Sequence, residues 1–425
     1  MRKRKSNIFR GVDWLLIAMY LLFVFLGWLT IYAATYSETE FEVLDFSTKY
    51  GKQMLWILLS FVLIIIVLAI DKKFYEQFSG IFYLLSILSL LGLFLFGTNI
   101  NGATSWYSFG SFGLQPAEFA KAATALAIAN YLNERNQDLR KLSNQLKAFT
   151  IIFLPALLIT FQPDPGSALV YLSLILVLYR FGLPMYYLVI GLLAVVLFVL
   201  TLYFGYLATL LIAAVSITVF LAYLVYKYKN YFRHNWMVFI LVYAFTSLFI
   251  LGVNYVFNNV FEQRHRDRFN ILLGKDVDTQ GIGYNTAQSV ITIGSGGVSG
   301  KGFLQGDRTQ GDFVPEQQTD YIFSTIGEEW GFLGSSFVIL LYMAFLLRLL
   351  YIADRQKSIF SQVFSYATVA IFFFHFTINI GMVLGLLPTI GIPLPFFSYG
   401  GSSLWGFTLL LFIMIRLDAD RVYEW

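Results

Sequence analysis

The chain has 425 residues, of which 58% are hydrophobic, 19% aromatic and only 13% charged, with a formal net charge of +4. Apolar runs repeatedly exceed the roughly 18 residues that mark a membrane span, so composition indicates an all-α polytopic membrane protein, one multi-helix bundle over 1–425, and leaves no room for a separate soluble domain. The absence of cysteine excludes disulfides, thiolate catalysis and zinc-thiolate sites, and a charge distribution that follows the membrane gives no support to nucleic-acid binding.

The N-terminal MRKRKSNIFRG is basic and precedes an apolar run from Trp14 to Ala34, too long for the core of a cleaved signal peptide, and reads as an uncleaved first span. Spans follow near 52–70, 77–97, 115–133, 148–161, 167–182, 184–204, 207–228, 236–258, 321–350, 362–387 and 402–416, about twelve with the first. The run from Leu55 to Ile70 is apolar on every face except at Ser60, which does not suit an alternating barrel strand. An N-terminus in the cytoplasm places Lys72, Lys73, Arg135, Arg140, Lys229 and Arg355 inside with most other basic loop residues, so the positive-inside rule puts both termini in the cytoplasm.

Outer loops are then acidic or neutral. Glu38, Glu40, Glu42 and Asp45 crowd the first, the segment from Asn99 to Leu114 carries no charge, and a large loop from Asn259 to Asp320 also faces out. Two segments predict irregular backbone at membrane depth, which is tolerated only where protein or water lines it. One is the run Gln162–Gly166 with two prolines; the other is LPTIGIPLPFFSYGGSS from Leu387 to Ser403.

Several polar groups lie in or beside apolar runs. Glu118 and Lys121 are three apart on one helix face, either a satisfied ion pair or a pair facing a polar cavity. Asp164, between two prolines, either caps the following span or faces a substrate. The tract RHRDRFNILLGKDVDTQGIGYN carries Arg264, Arg266, Arg268 and Lys275 beside Asp267, Asp276 and Asp278. It is either a solvated face or a place where cations hold a lipid-linked diphosphate while a carboxylate accepts a proton. The glycine run 294–302 lacks both the Walker and the Rossmann spacing, so nucleotide binding is a poor reading, and His234, His265 and His375 show no metal-ligand spacing and read as local in role.

Six motifs together carry a resemblance. QPAEFAK at 115–121, QPDPGSAL at 162–169, GSGGVSGKG at 294–302, PEQQTDYIF at 315–323, EEWGFLG at 328–334 and PFFSYGGSS at 395–403 resemble the SEDS family, which includes RodA and FtsW, over nearly the whole chain. The continuation GKGFLQGDRTQGDFVPE is more similar to the RodA-like elongation branch. The resemblance implies a peptidoglycan glycosyltransferase in the bacterial cytoplasmic membrane that polymerises lipid II at the outer face during elongation and shape maintenance. It also implies a polyprenyl diphosphate-linked glycan as the second substrate, with a class B penicillin-binding protein and the elongation machinery as partners.

Matched residue by residue, the family's essential outer-loop aspartate falls on Asp278, in DTQGIGY, where threonine stands for the usual proline. Glu118 and Lys121 match its intramembrane acid and base, Trp106 its outer-loop tryptophan, and Glu316, Thr319 and Asp320 its PExxTD segment. Ser105 precedes Trp106 where the family commonly has arginine, so Lys301 or Arg264 is expected to supply any missing phosphate contact. The family usually has about ten spans, and the region 184–259 is long enough for about three where one is expected, as an inserted hairpin would give. With Asp278 as general base and one displacement, the reaction inverts the anomeric centre. Lys121, Lys301 or a bound divalent cation is the candidate to stabilise the leaving diphosphate. Two other function classes are open at this point: a lipid II flippase or transporter, and a non-catalytic scaffold for the transpeptidase.

Overall fold

A computed structural model describes residues 11–36, 46–100, 102–110, 112–134, 137–227, 231–261, 263–274 and 282–421. The first acidic outer loop, Arg135, Lys229, Lys275, Asp276 and Asp278 lie outside the described residues. The elements are α1 (Trp14–Ala34), α2 (Lys49–Ala69), α3 (Lys72–Phe96), β1 (Thr98–Ile100), β2 (Ala103–Phe109), β3 (Phe112–Leu114), α4 (Pro116–Asn133) and α5 (Leu142–Thr160). After these come α6 (Pro165–Leu169), a 3-10 turn, α7 (Leu174–Arg180), α8 (Tyr186–Phe204), α9 (Tyr206–Lys227) and α10 (Tyr231–Tyr255). The remainder is α11 (Gln263–Leu272), α12 (Ile282–Ser295), α13 (Asp307–Gln310), α14 (Ile322–Asp354), α15 (Ile359–Val383) and α16 (Gly401–Asp420).

Among the described residues, 10 helices are long and apolar enough to cross a membrane. The two expected spans beyond these are α4, whose alanines and charged pair lower its hydropathy, and the short run Pro165–Arg180. The Asn99–Leu114 segment forms strands that the span pattern did not foretell. Its β-branched and aromatic residues pair as an antiparallel sheet of order β1-β2-β3, with Thr98 opposite Trp106 and Ser108 opposite Gly113.

The chain divides into two compact units: residues up to Leu183 together with those from Asn285 onward, and Pro184–Tyr284. The second unit contains α8, α9 and α10, the three helices expected of 184–259. Inside it the Thr218 hydroxyl meets Tyr243 Oη at 2.7 Å, and Phe269 of α11 packs edge-on against Phe198.

In the first unit α4 is the central helix, with 14 of its 18 residues buried. Its small side chains let neighbouring helices approach closely, as in membrane bundles generally. Gly406 of α16 illustrates this, because a Cβ there would lie 2.9 Å from the Glu118 carbonyl oxygen. At the helix ends remote from the sheet, the buried Asp13 carboxylate accepts from Arg348 at 2.6 Å and from Arg355 at 3.2 Å, and Arg355 also pairs with buried Asp418. The starts of α1 and the ends of α14 and α16 are thereby fixed to one another.

The glycine-rich run 294–302 is explained by α14. Gly331 adopts φ 64 and ψ −160 and breaks that helix, so Phe332 and Leu333 cannot donate to Glu328 and Glu329 one turn back. Instead Phe332 and Leu333 donate to Gly297 and Val298 at 2.9 and 3.1 Å, while the Glu328 and Glu329 carbonyls accept from Lys301 and Gly302 at 3.0 Å each. Two helix bonds are exchanged for four bonds to the loop, which satisfies backbone groups that membrane depth would otherwise leave costly. Such contact demands glycine: Cβ atoms at Gly296, Gly300 and Gly331 would lie 2.1–2.2 Å from backbone atoms across the junction.

A substitution pair tests this exchange. Gly300→Ala, forced into φ +80 against the Glu329 carbonyl, should lower stability by roughly 1–3 kcal/mol in thermal unfolding in detergent. Gly294→Ala, with nothing within 4 Å, should be near neutral. Equal unfolding of the two variants would contradict the packing role of the run.

Candidate active site

The first two turns of α4 hold a buried charged cluster. Lys121 and Glu118 are 1% and 2% exposed, and the ammonium donates to Glu118 Oε1 and Oε2 at 2.9 and 2.8 Å. Its third neighbour is His375 Nε2 of α15 at 3.0 Å. An ammonium has three donors and no acceptor, so all three are occupied and His375 Nε2 must accept. The imidazole proton therefore sits on Nδ1, which donates to the Pro393 carbonyl at 3.2 Å. Phe407 closes the cluster, 4.9 Å under the ammonium and edge-to-face with His375 at 4.7 Å.

Pro393 belongs to the irregular segment between α15 and α16, whose backbone is tied to its surroundings along its length. Asn379, one turn beyond His375 on α15, donates to the carbonyls of Ile392 at 2.7 Å and Asp320 at 2.8 Å. Ser398 Oγ donates to the Thr319 carbonyl at 2.6 Å, and Tyr399 N to the Gln318 carbonyl at 2.8 Å. The PEQQTD and PFFSYGG motifs thus form one folded surface, as backbone buried away from lipid requires.

Asp164 and Asp320 border the same segment. The Asp164 carboxylate caps α6 by accepting from Ser167 N at 3.0 Å and Ser167 Oγ at 2.9 Å, and it also accepts from Gln115 Nε2 at 3.1 Å. The cap reading of this residue is therefore present in the structure. Gly166 faces the carbonyls of Ile390 and Gly391, where an added Cβ would lie 2.6 and 3.2 Å away. Gly391, at φ +78, lies beside Asp320 Oδ2, 3.3 Å from the position of its own missing Cβ. The helix carrying Glu118 begins at this surface too, because Gln115 N donates to Ser402 Oγ at 3.0 Å.

A second polar cluster lies at the α14 break. Glu328, fully buried, accepts from Lys301 Nζ at 2.7 Å, Thr309 N and Oγ1 at 2.7 Å each, Arg308 N at 3.1 Å and Ser295 Oγ at 3.3 Å. Lys301 also meets Asp307 at 3.1 Å and keeps 27% of its side chain exposed. The Glu328 hydrogen bond, aided by Asp307, holds its ammonium pKa above the ordinary lysine value. Arg308 reaches Thr292 at 3.1 Å and Gln288 from the other side. Leu304, Asp312 and Glu316 all have positive φ, a concentration of strained non-glycine backbone in this loop.

The remaining expected residues are more dispersed. Trp106 lies on β2 with its ring against Gly113, and the preceding Ser105 is buried with no hydrogen-bond partner for its hydroxyl among the described residues. Glu316 is exposed and accepts from the Thr319 hydroxyl at 3.3 Å. Asp278 and the Arg264 side chain are outside what is described. Among the described residues no three carboxylate or imidazole groups gather to hold a metal ion, so no ligand set is assigned to the divalent cation. Three participants had no individual role in the sequence reading: Glu328, Asn379 and, beyond a local role, His375. The one available signal was the four-residue spacing of His375 and Asn379 inside an apolar helix.

The family model for FtsW, RodA and SpoVE, described as cell cycle protein, matches residues 13–230 and 207–423. The chain belongs to this family. Among its relatives, the peptidoglycan glycosyltransferase RodA of Treponema pallidum is 34% identical over 443 residues, covering 97% of this chain and 99% of the relative. The peptidoglycan glycosyltransferase MrdB of Escherichia coli is 32% identical, covering 82% and 80%. In fold, the chain is similar to a member of a peptidoglycan synthase complex that coordinates polymerization and crosslinking, with TM-score 0.71, 24% identity and coverage of 97% and 99%. Thermus thermophilus RodA gives TM-score 0.63 at 20% identity, with coverage of 97% and 98%.

The Lys301–Glu328 contact gives a measurable consequence. Lys301→Met should lower stability by roughly 1–3 kcal/mol, as for hydrogen bonds to a charged group. A raised lysine pKa contributes stability that is fully present below the unfolded value of 10.5 and is lost as pH rises through the folded one. The gap between wild type and variant should therefore be present at neutral pH and close as pH rises through the folded lysine value; a gap already closed between pH ~7 and ~8 would contradict the assignment.

Proposed function

We infer that the chain is a peptidoglycan glycosyltransferase of the elongation type, polymerising lipid II into glycan strands at the outer face of the bacterial cytoplasmic membrane. The observation that carries this reading is the full-length relationship to glycosyltransferases of the RodA type, over 97% of the chain at 34% identity. The polar surface built from the QPDPG, PEQQTD and PFFSYGG motifs gives the reaction a place beside the bundle. Both termini lie in the cytoplasm on this reading, as the basic inner loops require.

In the proposed reaction a hydroxyl of the lipid II acceptor attacks the anomeric carbon of the lipid-linked strand. A bond forms between that oxygen and the anomeric carbon, the bond to the diphosphate breaks, and the polyprenyl diphosphate leaves with the electron pair. Asp278 accepts the hydroxyl proton as general base, which makes the substitution inverting. Negative charge develops on the leaving diphosphate, and a cation is needed there. Lys301 suits this role better than Lys121, because its ammonium is partly exposed whereas the donors of Lys121 are fully engaged inside the bundle. Trp106, Asp164, Glu316 and Asp320 are proposed to line the substrate surface. A class B penicillin-binding protein is the proposed partner, which crosslinks the strands this chain makes.

Replacing the base tests the reading directly. Asp278→Asn, purified at wild-type yield with its cognate transpeptidase, should lose at least about 100-fold in lipid II polymerisation, the scale of general-base catalysis. Polymer at the wild-type rate from this variant would remove Asp278 from the mechanism.

A further inference from the structure

The intramembrane Glu118–Lys121 pair presents a difficulty to any mechanism in which it touches substrate. It is almost fully buried, its ammonium has no donor left, and Gly406 and Phe407 of α16 cover it. Among the described residues a hydrogen-bonded connection leads from it toward the segment between α15 and α16: Lys121 to His375, and His375 to the Pro393 carbonyl. Pro393 lies next to Ile392, whose carbonyl shares the Asn379 amide with the carbonyl of Asp320. The path from a buried charge to an outer carboxylate-bearing segment is thus four side chains long, and every hydrogen bond in it has a defined direction.

We propose that His375 is a positioning residue that couples the buried Glu118–Lys121 pair to the outer segment 387–400, so that the pair acts on the reaction by fixing this segment beside Asp320 and not by contacting substrate. The proposal rests on the glycosyltransferase reading for its effect on turnover, but its structural half stands apart from that reading. A neutral imidazole suits the task because its two nitrogens face opposite ways, one accepting from the ammonium while the other donates to the carbonyl. Neither a packing residue nor a simple counter-charge needs both contacts.

The two nitrogens can be removed separately. In His375→Gln the amide reaches the place of Nε2 and accepts from Lys121 but gives up Pro393, whereas in His375→Asn it reaches the place of Nδ1, keeps Pro393 and gives up Lys121. The chain lacks cysteine, so Ile390→Cys supplies a single thiol in the segment, and its labelling rate reports how tightly the segment is held. Because the pair holds the segment only through both contacts, labelling should rise roughly 3- to 10-fold in His375→Gln, the range a single hydrogen bond gives, and should also rise in His375→Asn, where the hold on Pro393 is no longer anchored to Lys121. Lipid II polymerisation, measured without the reporter cysteine, should fall in both variants, each having one half of the link broken. Wild-type labelling in either folded variant would overturn the coupling whatever the activity, and wild-type polymerisation in either folded variant would overturn its role in the reaction. If wild type itself makes no polymer while labelling changes as stated, the glycosyltransferase reading fails and the coupling survives.

Discussion

The structure is organised around a charge pair placed where lipid would otherwise be. Burying an isolated ammonium or carboxylate costs several kcal/mol even after relaxation, and such a pair is tolerated only when each remaining donor and acceptor is met. Here the ammonium spends two donors on Glu118 and the third on His375. That requirement draws α15 onto α4, and close approach of α16 at Gly406 excludes water from the same place. The segment between α15 and α16 is then held from below by His375 and Asn379, which leaves its outer side to form a surface with the PEQQTD and QPDPG motifs.

The break in α14 solves a related problem by backbone means. Unpaired peptide groups at this depth would be costly, so the helix can stop at Gly331 only because a second chain segment accepts and donates the displaced bonds. Glycines are needed on both sides, since the two backbones cross with no space for a Cβ. The exchange brings the Lys301 ammonium and the Arg308 backbone N–H onto the Glu328 carboxylate. The Lys301 ammonium is thereby held by the buried carboxylate, while the Arg308 guanidinium reaches Thr292 and Gln288.

Much of this was legible in the sequence because hydropathy over about 18 residues is a coarse and robust signal. All twelve expected spans correspond to helical segments, including the three in 184–259, and the proline-rich breaks fall where they were expected. Glu118 and Lys121 were visible as a pair because three residues separate them on one helix. The link from Lys121 to His375 was not, since it joins positions 254 apart and depends on how α4 and α15 pack. The β2 hairpin was missed because a neutral aromatic stretch between spans carries little periodic signal, and the glycine run could be seen as special without revealing that α14 was its partner. Asp278, the proposed base, was assigned only by the family pattern around it.

The most direct measurement of the account is the configuration of the linkage formed when the purified chain, in liposomes with its cognate transpeptidase, is given α-linked lipid II. One carboxylate acting as base on a single displacement predicts a polymer of β-linked sugars with release of polyprenyl diphosphate. A polymer that retained the α configuration, or transfer of lipid II across the bilayer with no polymer at all, would contradict it.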